Sequence, residues 1–256
     1  LDPLPAQAIE ALNRGPRAPE LFSEPEDGSA LQGSSTATVG TKPGFLENGY
    51  ALTPAGGMIV ACTHSPMPGV EPAMWAWWFA WHGHESARYK LWHPQAHVSV
   101  AWADGAGYNG KYIGRTSQVD EYIGGKLLSL SIRFVPPVEL GFDEAQLAAA
   151  GEVVICARGI QSRLTGEIQV GTFCHHLTPT PHGAVMRSRF WLGGEYVRPF
   201  GATKANFIVR TIASFMPRTN EDAQALLVHA AEEMQHLSKF LPQLYAQFEG
   251  KRDATS

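Results

Sequence analysis

Residues 220–248 read as one long helix, with Asn220 as its N-cap, Glu221 and Asp222 in the first turn, and Pro217 in the break before it. Leu226, Leu237, Leu241 and Leu244 fall on its apolar face, and a helix with such a face must bury it. That need constrains the fold most, because the sequence before it supplies mainly strands. A curved sheet closed by the C-terminal helix buries the face most simply and leaves a cavity between the two. The same helix carries His229 and Glu233, four residues apart and one turn above each other, so an imidazole and a carboxylate can face one cation. Such pairs on exposed helices are usually solvated neighbours, and this one is half a metal site only if other segments complete it.

The strands are read from alternation and composition. Residues 49–65 predict a hairpin turning at 54–57. Residues 127–135, 153–160, 169–177 and 184–192 predict antiparallel strands, with a short helical insertion over 143–150. Residues 205–215 read as helix. In 72–82 the aromatic residues occupy more than one helical face, which predicts a helix buried on most sides. Five of the seven tryptophans lie between 75 and 92, so this segment is core, and the same rings can wall a pocket for an aromatic ligand.

A length of 256 residues with 44% hydrophobic content fits one large domain. Residues 1–45, rich in Pro, Gly, Ser and Ala, read as an irregular N-terminal arm, and 46–250 as the folded domain. A net charge of -4 gives no reason to expect nucleic acid or an anionic membrane as partner and suits a small molecule. Cys62, Cys156 and Cys174 are odd in number and widely spaced, which predicts reduced core residues. With no signal-peptide pattern and no long apolar run, a cytoplasmic protein is expected.

Two further segments are dense in ligand-type residues. Residues 81–97 hold four of the ten histidines, His82, His84, His93 and His97, and 118–125 hold Asp120 and Glu121 just before an expected strand. Together they offer the histidine and carboxylate that a zinc site on His229 and Glu233 lacks. Both His93 and His97 are candidates. Pro94 marks a turn after His93, whereas His97 begins the next apolar strand.

The strings Trp-Trp-Phe-Ala-Trp-His at 77–82, Arg-Tyr-Lys-Leu-Trp-His-Pro-Gln-Ala-His at 88–97, Met-Arg-Ser-Arg-Phe-Trp-Leu-Gly at 186–193 and His-Ala-Ala-Glu-Glu at 229–233 resemble the 2,4-diacetylphloroglucinol hydrolase family, which includes phloretin hydrolases. The resemblance spans residues 45–248. It implies an α+β, Bet v 1-like helix-grip fold with a zinc ion in its cavity. It also implies hydrolysis of the carbon–carbon bond between an acyl group and a hydroxylated aromatic ring. Carried over residue by residue, the ligands fall on His97, Glu121, His229 and Glu233, and a substrate-binding hydroxyl on Tyr89. Tyr89, His97 and Glu121 are then the catalytic candidates. Glu232 and Asp120 are read as supporting the ligands or facing solvent. The expected partner is a phenolic ketone, and a homodimer is the candidate assembly.

The chemistry is coherent by itself. Zinc acidifies a bound water toward a pKa of about 7 and stabilises an oxyanion. Ring hydroxyls ortho or para to the acyl group let the ring accept the electrons of the broken bond as a keto tautomer. Tyr89, or one of the His175–His176 pair, could orient such a hydroxyl. A non-catalytic carrier of apolar ligands and a mononuclear iron oxygenase are the rival readings.

Overall fold

The computed structural model describes residues 3–16, 48–163, 166–202, 211 and 217–251. Apart from residue 211, the helix expected over 205–215 lies outside the described residues. Among the described residues nine strands form one antiparallel sheet: β1 (Gly49–Leu52), β2 (Gly57–Pro68), β3 (His97–Trp102), β4 (Thr116–Ile123), β5 (Lys126–Val135), β6 (Val153–Arg163), β7 (Gly166–Thr180), β8 (Gly183–Gly193) and the two-residue β9 (Arg198–Pro199). Their order is β1-β2-β8-β7-β6-β5-β4-β3, with β9 paired to β7. The helices are α1 (Ala6–Asn13), α2 (Pro72–His82), α3 (Ser86–Trp92), α4 (Glu144–Ala150), α5 (Asn220–Ser238) and α6 (Leu241–Phe248).

The sheet curls around α5. That helix packs on β1, β2 and β4, yet β2 and β4 are separated by four strands in the sheet order. Flat strands about 4.8 Å apart would put them more than 20 Å from each other, beyond the roughly 10 Å width of a helix. The α+β helix-grip arrangement expected from sequence is therefore present. The expected hairpin, insertion helix and strands all form.

Four details differ from the sequence reading. The C-terminal helix is two helices, α5 and α6, with Pro242 in the first turn of the second, where its missing N–H costs nothing. Its N-cap is Thr219, not Asn220: Thr219 and Asp222 form a reciprocal capping box, which satisfies two otherwise free N–H groups. Asp120 and Glu121 lie inside β4 and not before a strand. Ser117, Val119 and Glu121 form its buried face, and a carboxylate on that face hides the alternation. Finally, the arm is not wholly irregular, since Ala6–Asn13 is helical. Ala8, Ala11 and Leu12 give it a small apolar face, buried against Ile59, Val154 and Trp191 on the side of the sheet away from α5. Trp191 Nε1 donates to the Leu12 carbonyl at 3.1 Å.

The main core lies between the sheet, α2, α3 and the C-terminal helices. Trp75 and Trp78 are fully buried there, with Trp92, Phe134, Ile155 and Met234 around them. The three cysteines are buried and free, in accord with the expectation.

Candidate active site

The site is assembled from three places in the chain. His229 and Glu233 sit one turn apart on the buried face of α5. His97 opens β3 directly opposite Glu121 of β4. The β4–β5 turn brings that strand to the helix: at Gly124 (φ 58°) an added Cβ would lie 2.6 Å from the Ala225 Cβ of α5, so only glycine permits both the left-handed backbone and the contact. Glu121 is three residues before this anchor.

The ligand atoms converge. His97 Nε2 lies 3.7 Å from Glu121 Oε2 and 3.8 Å from Glu233 Oε2. His229 Nε2 lies 4.0 Å and 3.7 Å from the same two atoms. His97, His229 and Glu233 form a group whose ligand atoms all lie within 4.8 Å of one another. These separations are too long for hydrogen bonds. Two atoms bound tetrahedrally at about 2.1 Å to one zinc ion would stand roughly 3.4 Å apart, so a small inward movement accommodates the ion.

Electrostatics point the same way. Burial lowers the His97 imidazole to about 2 and His229 to about 4, with neighbouring histidines adding to both shifts. Burial lifts the Glu121 carboxyl to about 7, against the Tyr89 hydrogen bond that lowers it. Glu233 is raised well above the usual carboxylate range, by burial first and by Glu121 second. Two neutral imidazoles and two carboxyls held toward neutrality are not ion pairs. They are a buried set that a cation would make stable in its charged form. His97 Nε2 is buried with no hydrogen-bond partner among the described residues, a costly state that a metal ion relieves. The donor set thus fits zinc.

The surrounding groups fix the rings. His97 Nδ1 bonds to the Tyr89 carbonyl at 3.0 Å, which directs Nε2 to the cluster. The Tyr89 ring stacks on His97 at 3.9 Å between centroids, and its hydroxyl donates a short hydrogen bond to Glu121 Oε2. Burial, then the Glu121 charge, raises the Tyr89 phenol well above its ordinary value, so it remains a donor. His229 is held by the backbone of Tyr122. His93 stacks on His229 at 5.1 Å, but its Nε2 meets Glu232 at 3.3 Å. His93 and Glu232 therefore stand behind His229, and Asp120 accepts from Ser99 and Ser129 away from the cluster.

An open cleft of about 760 Å³ between the β4–β5 turn and α5 reaches His229, with His93, Tyr122, Val228 and Glu232 among its lining residues. Inside, Trp92 makes edge contacts with His97 at 5.4 Å and Phe79 at 5.4 Å, joining the cluster to the aromatic core. The two adjacent strand histidines separate. His175 faces that core beside Trp75 and Phe79, while His176 pairs with Glu152 at 2.9 Å and packs on Phe142 on the other side. Ser188, whose hydroxyl meets His175 Nδ1 at 2.8 Å, has no distinguishing mark in the sequence. Only strand register puts it opposite His175.

Among the described residues, no helix is long and apolar enough to cross a membrane. A family model described as the DAPG hydrolase PhiG domain matches residues 36–246. The 2,4-diacetylphloroglucinol hydrolase of Pseudomonas protegens is 30% identical over 96% of this chain and 81% of its own length. The phloretin hydrolase of Eubacterium ramulus is 31% identical over 96% of this chain and 86% of its own. Among solved structures, that of Ara h 8.0201 is similar, with a TM-score of 0.40 at 13% identity over 72% of this chain and 99% of that one. With most of its length matched by the family model and by both hydrolases, the chain belongs to the 2,4-diacetylphloroglucinol hydrolase family.

Proposed function

We propose that this protein is a zinc-dependent hydrolase that cleaves the carbon–carbon bond between an acyl group and a polyhydroxylated aromatic ring, releasing a phenol and a carboxylic acid. The substrates that name its relatives, 2,4-diacetylphloroglucinol and phloretin, give the class. The observation that carries the reading is the convergence of His97, His229 and Glu233 beside an aromatic wall, with Glu121 within 4.0 Å of both histidines. Residues 46–250 are the catalytic unit, and residues 1–45 its N-terminal arm.

In this reading the two imidazoles and two carboxylates hold the metal. Bound there, zinc supplies a Lewis acid for the ketone oxygen and an acidified water. The chain's own groups do the rest. His97 and His229 offer neutral Nε2 atoms, kept neutral by burial. Glu121, lifted to about 7 by burial in the absence of an ion, would be held as a carboxylate by the cation, and that carboxylate is the base of the set. Tyr89 holds its Oε2 by donation, and the Tyr89 hydroxyl is the one this reading assigns to a substrate oxygen. Tyr89 and Trp92 are buried beside His97 and form the apolar wall of the site.

The balance is simple. Water adds its oxygen to the acyl carbon, and the acyl–aryl bond breaks with its electron pair going to the ring. The ring carbon then takes a proton. Ortho or para hydroxyls make this possible by passing the ring through a keto tautomer. Turnover of an acylated benzenetriol in oxygen-18 water by protein of measured metal content tests the reading. One labelled oxygen in the released acid, with about one zinc per chain, is the expected result. Dependence on molecular oxygen would favour an oxygenase, and binding without turnover a carrier.

A further inference from the structure

On the face of the sheet turned toward α5, one row of cross-strand neighbours runs from Cys62 through Ser188 and His175 to Ile155. Residues paired in this way share a face, and the strands that carry them lie about 4.8 Å apart. The row begins beside the helix that carries two of the ligands, since Cys62 shares a buried cluster with Leu226 and Ala230 of α5. Two strand spacings, about 10 Å, separate the Cys62 and His175 positions, the scale of one substituted ring.

His175 and Ser188 are 3% and 1% exposed. Aromatic rings enclose the imidazole: Trp75, Phe79, Phe173 and Phe190, at 5.5 to 6.2 Å between centroids. One nitrogen, Nδ1, is engaged by Ser188. The other, Nε2, has no hydrogen-bond partner among the described residues. Unlike His97 Nε2, this nitrogen is not fully occluded, and an unpaired polar atom inside an aromatic shell needs a reason.

We propose that His175, held by Ser188, is a substrate-positioning residue whose Nε2 hydrogen-bonds to a hydroxyl of the substrate's aromatic ring. This deepens the hydrolase reading above and rests on it. Either tautomer leaves one function at Nε2: an N–H when Ser188 donates to Nδ1, a lone pair when Nδ1 donates to Ser188. A phenolic hydroxyl answers both, because it donates and accepts, whereas a ketone oxygen answers only the first. The surrounding rings suit the flat face that carries the hydroxyl. The residue therefore selects for ring hydroxylation, and the ligand cluster selects for the acyl group.

The test uses the zinc-loaded full chain with benzene-1,3,5-triol and its trimethyl ether as probes, read by quenching of tryptophan fluorescence. The unaltered protein should bind the triol at least tenfold more tightly than the ether. His175→Phe should bind both alike, His175→Gln should recover part of the preference, and His175→Met carries the same comparison if the Phe variant does not fold. In turnover of an acylated triol, His175→Phe should raise KM at least tenfold while lowering kcat less. A preference unchanged by His175→Phe or His175→Met overturns the proposal, as does equal binding of triol and ether by the unaltered protein. Selective triol binding that depends on His175, without any turnover, would instead overturn the hydrolase reading alone.

Discussion

Arg115 and the cluster of His97, Glu121, His229 and Glu233 are both polar and buried, and they differ in how their groups are answered. Arg115 donates to Asp104 through Nε and Nη2 at 2.9 and 2.7 Å, and to the Ala106 and Gly107 carbonyls at 2.8 and 3.3 Å. Its guanidinium lies 4.1 Å over the Trp102 ring. The loop between β3 and β4 is wrapped around a charge that protein groups fully satisfy. In the cluster, by contrast, each of two histidine Nε2 atoms stands 3.7 to 4.0 Å from two carboxylates and His97 Nε2 has no hydrogen-bond partner among the described residues. Burial of polar groups is thus common to scaffold and site. What separates them is whether the groups complete one another or need a guest.

The largest effect that can break this contrast is at His229. His229→Ala should abolish zinc binding and lower kcat/KM by roughly 10³-fold, about 4 kcal/mol of transition-state stabilisation. Full zinc content in that variant, measured by elemental analysis, would remove the cluster from the mechanism. Arg115→Met should do the reverse. Losing several charge-assisted hydrogen bonds should cost about 3 kcal/mol, seen as a fall in Tm of about 6–12 °C, while the folded fraction keeps its zinc and turnover.

Acid sensitivity sharpens the comparison within one strand. Burial lowers His175 to about 3 and also lowers His176, whose Glu152 partner opposes the shift. Both are neutral when folded, and an unfolded histidine takes a proton near 6.5. The His175 contribution is therefore present in full above pH about 6.5 and is lost as pH falls toward 3. For His175 the loss between pH 6.5 and 5 is about 2 kcal/mol. In urea titrations at pH 7.5 and 5, His175→Gln should lose less stability on acidification than the unaltered protein. An equal loss in both would show that His175 is protonated within the fold. The smallest effect is expected at His93. His93→Ala should retain about one zinc per chain and change KM only a few-fold, because its Nε2 is already engaged by Glu232. Loss of the metal would make His93 the ligand in place of His97.

The sequence alone determined a good deal. The period of 220–248 required a helix with a face to bury, and it put His229 and Glu233 one turn apart. Alternation marked most of the strands, and Pro94 separated His93 from the strand that His97 begins. Family resemblance then supplied a ligand set. The break before Pro242 is equally legible in the sequence, because proline suits the first turn of a helix and not its interior. What the sequence could not decide was facing. Glu121 sits on the inner face of β4 only because that strand pairs in register with β3 and is drawn to α5 at Gly124. His175 and His176 point to opposite sides, and Ser188 stands behind the first, because a strand's alternation has two phases and distant pairing selects one. Local propensity sets the elements. The direction of a buried nitrogen or carboxylate is set by contacts tens to more than a hundred residues away, and only the tertiary structure holds those.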